Sequence, residues 1–222
     1  MANHHPRPEQ GLSTARIEAL TDGVVAIAMT LMVFYIKVPE LPSPAATGAL
    51  LPALLSLWPS FVSSVISFVM IGVYWVGHHN QFHYIRRTDR VMLWINILFL
   101  MFISLIPFSS SLLGHYPRQR AAITLYGLNL MMVGVSLYIH WSYATQELRL
   151  VDANTPPQLI VLAKRRILTG PILVVATALS FVSTRLGLLL YALLPVLYLL
   201  PGRIDRHWAP RAPVARRSRS TG

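Results

Sequence analysis

Arg16-Ile-Glu-Ala-Leu-Thr-Asp22 runs without a break into Gly23-Val-Val-Ala-Ile-Ala-Met-Thr-Leu-Met-Val-Phe34. The stretch otherwise reads as a membrane-spanning helix, yet its first turns hold an arginine, a glutamate and an aspartate. An ionisable group in a membrane costs roughly 2.5 to 3.5 kcal/mol on insertion scales, so it is kept mainly where it is paired or faces water. The combination fits a helix that walls an ion pathway, with the rest of the chain as its support.

The whole chain is built like this stretch. Of its 222 residues, 54% are hydrophobic and 12% charged, and a typical soluble domain carries about 25% charged residues. The apolar residues fall into blocks long enough to span hydrocarbon, which makes this an integral membrane protein. The first fifteen or so residues are polar and the first apolar run has no small-residue cleavage site, so no cleavable signal peptide is expected. The absence of cysteine excludes disulfides, thiolate metal sites and a cysteine nucleophile. The net charge of +11 sits in loops and tail, where membrane orientation and anionic lipid explain it better than nucleic acid does.

Residues 1–15 read as a disordered N-terminus and 203–222, with six arginines, as a disordered basic tail. Between them, 16–202 reads as one all-α, polytopic membrane domain of six transmembrane helices. The spans are Ile17–Val38, Leu51–Gly77, Val91–Leu113, Ala121–Trp141, Ile167–Thr184 and Leu186–Leu200. Pro39, Pro42 and Pro44 break the chain after the first span, and Pro107 predicts a kink in the third. The fifth and sixth spans, separated by Arg185, read as a tight hairpin. Six spans put both termini on one side. Assigning that side to the cytoplasm collects fifteen of the nineteen Lys and Arg residues there, as the positive-inside rule requires.

On the first span Ala19, Gly23, Ile27, Thr30, Leu31, Phe34 and Val38 recur at steps of three and four and share a face. One reading is a packing seam opened by the small pair Ala19 and Gly23. The other is a pore face. There Ile27, Leu31 or Phe34 form apolar constrictions and Thr30 offers a hydroxyl ring, since apolar rings gate by dewetting and oxygens replace an ion's hydration shell. Asp22 lies about 140° around the helix from Ile27 and therefore needs a partner behind.

Trp75, His78, His79 and Asn80 stand at the matching depth of the second span, so they can join Arg16 and Asp22 in a supporting polar network. His79 and His83, four apart, or His78 and His79 with Asp22, also have the residue types of a metal site, but no second ligand pair accompanies them. A proton relay through Asp22 and the His78/His79 pair is a further reading, which would make the protein a proton-coupled transporter. Asn96, Asn129 and His140 are isolated polar residues suited to interhelical hydrogen bonds. No phosphate loop, nucleophile elbow, paired intramembrane carboxylates or Thr-Val-Gly-Tyr-Gly filter is present, so no enzyme, cofactor or resident metal is expected.

Arg16-Ile-Glu-Ala-Leu-Thr-Asp22 resembles the Arg-x-x-x-Phe-Ser-Asp signature of the transmembrane protein 175 family of potassium channels. Leu20 and Thr21 stand where the signature has Phe and Ser. Trp75-Val-Gly-His-His-Asn80, and Asn96 through Pro107-Phe108, are similar to the family's second and third helices. The resemblance is sharpest over residues 16–116. It implies a prokaryotic plasma-membrane channel of four identical six-helix chains whose first helices line a central pore conducting potassium. It also implies an apolar constriction at Ile27, a hydroxyl layer at Thr30 and an outer apolar layer at Leu31 or Phe34. Arg16, Asp22 and one of His78 or His79 would form the supporting network. Other partners are membrane lipids, with anionic lipid at the basic segments. A structural membrane subunit without transport activity is the plainest remaining reading.

Overall fold

The structure is a computed structural model that describes residues 14–41, 48–148 and 150–152, with single residues and short stretches between 155 and 193. Among the described residues the regular elements are helical. They are α1 Thr14–Phe34, α2 Leu50–Ser56, α3 Trp58–Phe82, α4 Arg90–His115 and α5 Arg120–Thr145, with a one-turn 3-10 helix at Gln146–Leu148. α1, α3, α4 and α5 are long and apolar enough to cross a membrane. The N-terminal segment 1–13, most of the expected fifth and sixth spans and the basic tail lie outside the described residues.

Several boundaries differ from the sequence reading, and α1 ends at Phe34 rather than Val38 while α5 runs on to Thr145 rather than Trp141. The second span is divided, because α2 stops at Ser56 and α3 starts at Trp58. Leu57 turns back to hydrogen-bond Leu54 O at 3.1 Å, and Pro59, which lacks an N–H, sits in the first turn of α3 where that donor is not needed. α3 then continues to Phe82, past Gly77, which carries the whole histidine segment on the helix. α4 remains one helix through Pro107, although the ring removes the N–H that would bond Ile103 O.

α4 is the centre of the packing. It lies against α5, α3 and α1, and α1 also packs on α3. The main core takes Val25, Ala28 and Met32 from α1, Ile71 and Tyr74 from α3, Phe99, Ile103 and Ile106 from α4, and Tyr126, Leu130 and Val133 from α5. Tyr191, from the segment expected to form the sixth span, is buried edge-on against Tyr126, with ring centroids 5.5 Å apart. Gly127 makes room for it, since a side chain there would strike the Tyr191 hydroxyl and Thr177.

The helices are also joined by hydrogen bonds, which a bilayer core demands of any polar group placed in it. Ser67 donates to Ser63 O at 2.7 Å, and its oxygen also lies 2.8 Å from Ser110 Oγ and 2.9 Å from Tyr126 OH. Asn129 Nδ2 donates to Ser109 Oγ at 3.0 Å. Gly114 lets α4 approach α3 so closely that a Cβ would stand 2.8 Å from the Ser60 Cα.

At the end of the bundle where α1 begins, two loops clasp. Ile85 and Val151 form an antiparallel bridge, Arg86 N donates to Leu150 O at 2.9 Å, and Asp152 N donates to Tyr84 O at 3.1 Å. Glu147 turns the chain with a left-handed backbone, φ 53°, a conformation uncommon for residues other than glycine. Asp89 accepts from Met92 N at 2.9 Å as the cap of α4 and from the Tyr143 hydroxyl at 2.7 Å. A second core of Ile17, Phe82, Ile85, Met92, Trp141, Leu150 and Val151 fills the space between.

Candidate ion pathway and its supporting network

The two faces of α1 separate cleanly. Ile17, Thr21, Val25, Ala28 and Met32, at steps of four, four, three and four, are buried against the bundle. Ala19, Gly23, Ile27, Thr30, Leu31 and Phe34 are exposed, as are Leu20, Ala26 and Val33 beside them, and Val38 is exposed beyond the end of the helix. Ile27 is 61% and Phe34 76% exposed although both are large and apolar. Nothing stands within 4 Å of a Cβ placed on Gly23. The Thr30 hydroxyl donates to Ile27 O at 2.9 Å, which spends its proton within the helix and leaves its oxygen lone pairs directed outward.

Behind this stripe, the expected polar cluster is divided into two groups. Asp22 is met by the Trp75 indole, whose Nε1–H donates to Asp22 Oδ1 at 2.7 Å. His79 stacks on the same indole, with centroids 5.6 Å apart and planes 23° from parallel. His78, one residue earlier and therefore about 100° around the helix, is 2% exposed and belongs elsewhere. Its Nε2 lies 2.9 Å from Asn96 Oδ1. The Asn96 amide nitrogen donates to Thr21 Oγ1 at 3.3 Å, so its oxygen accepts from His78. Three helices, α1, α3 and α4, meet in this chain of bonds.

His78 stacks on Phe99 and lies 5.4 Å, centroid to centroid, from His140 of α5. His140 Nδ1 is 2.6 Å from Gln81 Oε1, while Gln81 Nε2 donates to Leu137 O at 3.1 Å. Of the six residues expected to form one network, Asp22, Trp75 and His79 stand together, while His78 belongs to a separate buried group. Arg16 is exposed and, among the described residues, forms no ion pair with Asp22. Asn80 is half-buried and joins neither group. Thr21 and Asn96 bond in the group that holds His78, and Gln81 and His140 pair beside it. A signal for this was present in the chain, because Ser63, Ser67, Tyr74, His78 and Gln81 of α3 recur at helical spacing, marking a buried polar stripe rather than a cluster of neighbours.

An open cleft of about 380 Å³ lies beside the start of α1, lined by Thr14 and Glu18 of α1, His79, Phe82 and His83 at the end of α3, and Ile85 and Arg86. Arg86 Nε is 3.7 Å from Asp152 Oδ2. Among the described residues no three His, Asp or Glu side chains stand close enough together to hold a metal ion.

Several helices of spanning length, joined by buried side-chain hydrogen bonds and carrying large apolar side chains on their outer faces, define a multi-pass helical membrane protein. The family model described as the endosomal/lysosomal potassium channel TMEM175 matches residues 16–107. A potassium channel of Streptomyces collinus is 33% identical over 190 residues, which covers 83% of this chain and 91% of that protein. One from Chamaesiphon minutus is 38% identical over 184 residues, 81% of this chain and 90% of that protein. The crystal structure of a lysosomal potassium-selective channel TMEM175 homolog from Chamaesiphon minutus superposes with a TM-score of 0.74 at 33% identity, covering 83% of this chain and 95% of that one. The chain belongs to the TMEM175 family.

Proposed function

We propose that this protein is a potassium-permeable cation channel of a prokaryotic plasma membrane, assembled from four copies with the first helices around the axis. The observation that carries the reading is the uncovered stripe of α1. Large apolar side chains are exposed on α3, α4 and α5 as well, as contact with lipid allows. The α1 stripe differs in following the charged stretch Arg16–Asp22 and in holding Thr30 among Ile27, Leu31 and Phe34. Ile27 forms the narrowest ring and dewets when closed. Thr30, its proton already donated to Ile27 O, turns four oxygens toward a partly dehydrated ion, with Leu31 and Phe34 as the outer layer. Each copy contributes six spans with both termini cytoplasmic, and the arginine-rich loops and tail meet anionic lipid.

The potassium channels among its relatives support this reading. A proton-coupled carrier running through Asp22 and the His78/His79 pair has less support, because Asp22 is held by Trp75 and His78 by Asn96, in separate groups. The test is planar-bilayer recording of the purified protein under a potassium gradient, then with sodium on one side. Discrete current steps with a reversal potential displaced toward potassium are expected. Proton-dependent uptake in liposomes without unitary currents would overturn the proposal.

A further inference from the structure

Where α3 meets the two surfaces of the bilayer follows from its neighbours. At one end it stops at Phe82, and exposed Arg86 and Arg87 follow beside the loop clasp. At the other end Gly114 of α4 packs so closely on Ser60 that a Cβ would stand 2.8 Å from the Ser60 Cα. That contact sets the start of α3 level with the end of α4, where His115, Tyr116, Arg118 and Arg120 are exposed. This level is the far boundary of the membrane. The 25 residues of α3 reach about 37 Å along the axis, more than the ~30 Å of a hydrocarbon core. α3 therefore spans the bilayer alone, and α2, which precedes it by one residue, is left at the boundary.

α2 is nonetheless built for apolar surroundings. None of its residues is buried, and Leu50, Leu51, Leu54 and Leu55 all stand exposed. On a helix these four fall within an arc of about 140°, with Pro52, Ala53 and Ser56 on the other side. The Ser56 hydroxyl is turned back onto Ala53 O at 2.6 Å. Just beyond the turn at Leu57, Trp58 stacks on Phe61 with ring centroids 6.1 Å apart, and both are exposed. From Leu41 to Ile85 the chain carries no Lys, Arg, Asp or Glu, so no charge draws this segment into water.

Two occupants fit a leucine face at this level, lipid or a second copy of the chain. Helices that associate in a membrane do so through small residues that let backbones approach and through hydrogen bonds across the contact. The leucine face offers neither, and the one hydroxyl of α2 is spent inside the helix. Acyl chains require neither, and an exposed indole at headgroup depth is a common companion of a surface seated in lipid. We propose that α2 is a lipid-seated foot rather than part of a span. It lies along the boundary between headgroups and acyl chains, at the end of the bundle opposite the clasp. Its four leucines enter the chains, Trp58 stands among the headgroups, and the turn at Leu57 is the corner between foot and span.

The chain has no cysteine, so single cysteines introduced into the full-length protein take a nitroxide label without competition. Leu51→Cys and Leu55→Cys report the leucine face, and Pro52→Cys and Ser56→Cys the other side. In phosphatidylcholine liposomes, collisions with oxygen, which concentrates in hydrocarbon, are compared with collisions with a water-soluble nickel chelate. The leucine face should favour oxygen, at a depth of roughly 5 to 10 Å, and the other side should favour nickel. Nickel access at all four positions would put α2 in water, and a depth near the bilayer centre would return it to a span. Either result overturns the proposal. So does shielding of the leucine face from both reagents with spin–spin broadening that unlabelled chain dilutes away, because that is contact with a second copy. A second measurement leaves α2 unaltered. The tryptophan emission of the wild-type chain minus that of Trp58→Phe should be quenched more by lipids brominated near the carboxyl end of the acyl chain than by lipids brominated near the methyl end. Equal or reversed quenching would remove Trp58 from the headgroups and the foot with it.

Discussion

The two sides of α1 are alike in composition and opposite in circumstance. One carries Ile17, Thr21, Val25, Ala28 and Met32 into the bundle, and the other carries Ala19, Gly23, Ile27, Thr30, Leu31 and Phe34 out of it. In a soluble protein the hydrophobic effect would forbid the second. In a membrane lipid tails are as apolar as leucine, and the discrimination falls to close packing and hydrogen bonds. The buried side is distinguished by its fit and by the Thr21–Asn96–His78 chain. The outer side is distinguished by large exposed apolar side chains with one hydroxyl, that of Thr30, among them. The difference teaches that hydrophobicity alone does not tell a packed face from an uncovered one here.

Substitutions that respect one face and violate the other sharpen this contrast. The largest effect is expected at Ala28, which is 2% exposed among α1, α3 and α4 core residues. Ala28→Phe forces those helices apart at a cost of about 3 kcal/mol, read as a lower melting temperature in detergent and loss of assembled protein on size exclusion. Three positions away from Thr30 on the other face, Ile27→Asn should leave melting within about 0.5 kcal/mol. It should change single-channel conductance about tenfold, equivalent to ~1.4 kcal/mol of barrier. Unchanged conductance and selectivity would remove Ile27 from the constriction.

A smaller effect is expected from Asn96→Leu, which leaves His78 and Thr21 without their shared partner. The cost is about 1 to 2 kcal/mol in melting, with conductance per open channel unaltered. The smallest belongs to Thr21→Val, which removes one long hydrogen bond of 3.3 Å and costs about 0.6 kcal/mol. Adding Thr21→Val to Asn96→Leu should then cost almost nothing further, because the bond is already gone. Additive losses would show that Thr21 stabilises α1 through some contact other than Asn96.

Much of this arrangement was legible in the chain. The four long helices follow from blocks of apolar residues, and the two faces of α1 follow from steps of three and four. Interhelical bonds from Asn96, Asn129 and His140 follow because a polar group in hydrocarbon needs a partner. Which partner does not follow. Asn96 meets residues 18 and 75 positions away, and nothing local encodes that distance. His78 and His79 adjoin in sequence, but a helix sends neighbours to different sides. The apolar run Leu51–Gly77 reads as one span and carries no sign of a break at Leu57. The division into α2 and α3 shows that Pro59 opens a second helix.

The bridge between Ile85 and Val151 has a meaning for how the protein is made. Two loops can pair by backbone hydrogen bonds only if they emerge into the same aqueous compartment, so α4 and α5 must both have crossed, in opposite directions, before the contact exists. A chain in which either helix had failed to insert would hold these loops on opposite sides of the bilayer and leave Tyr84, Arg86, Leu150 and Asp152 without their partners. The clasp is thus a record of correct topology, closed only after the ribosome has delivered the whole of that hairpin.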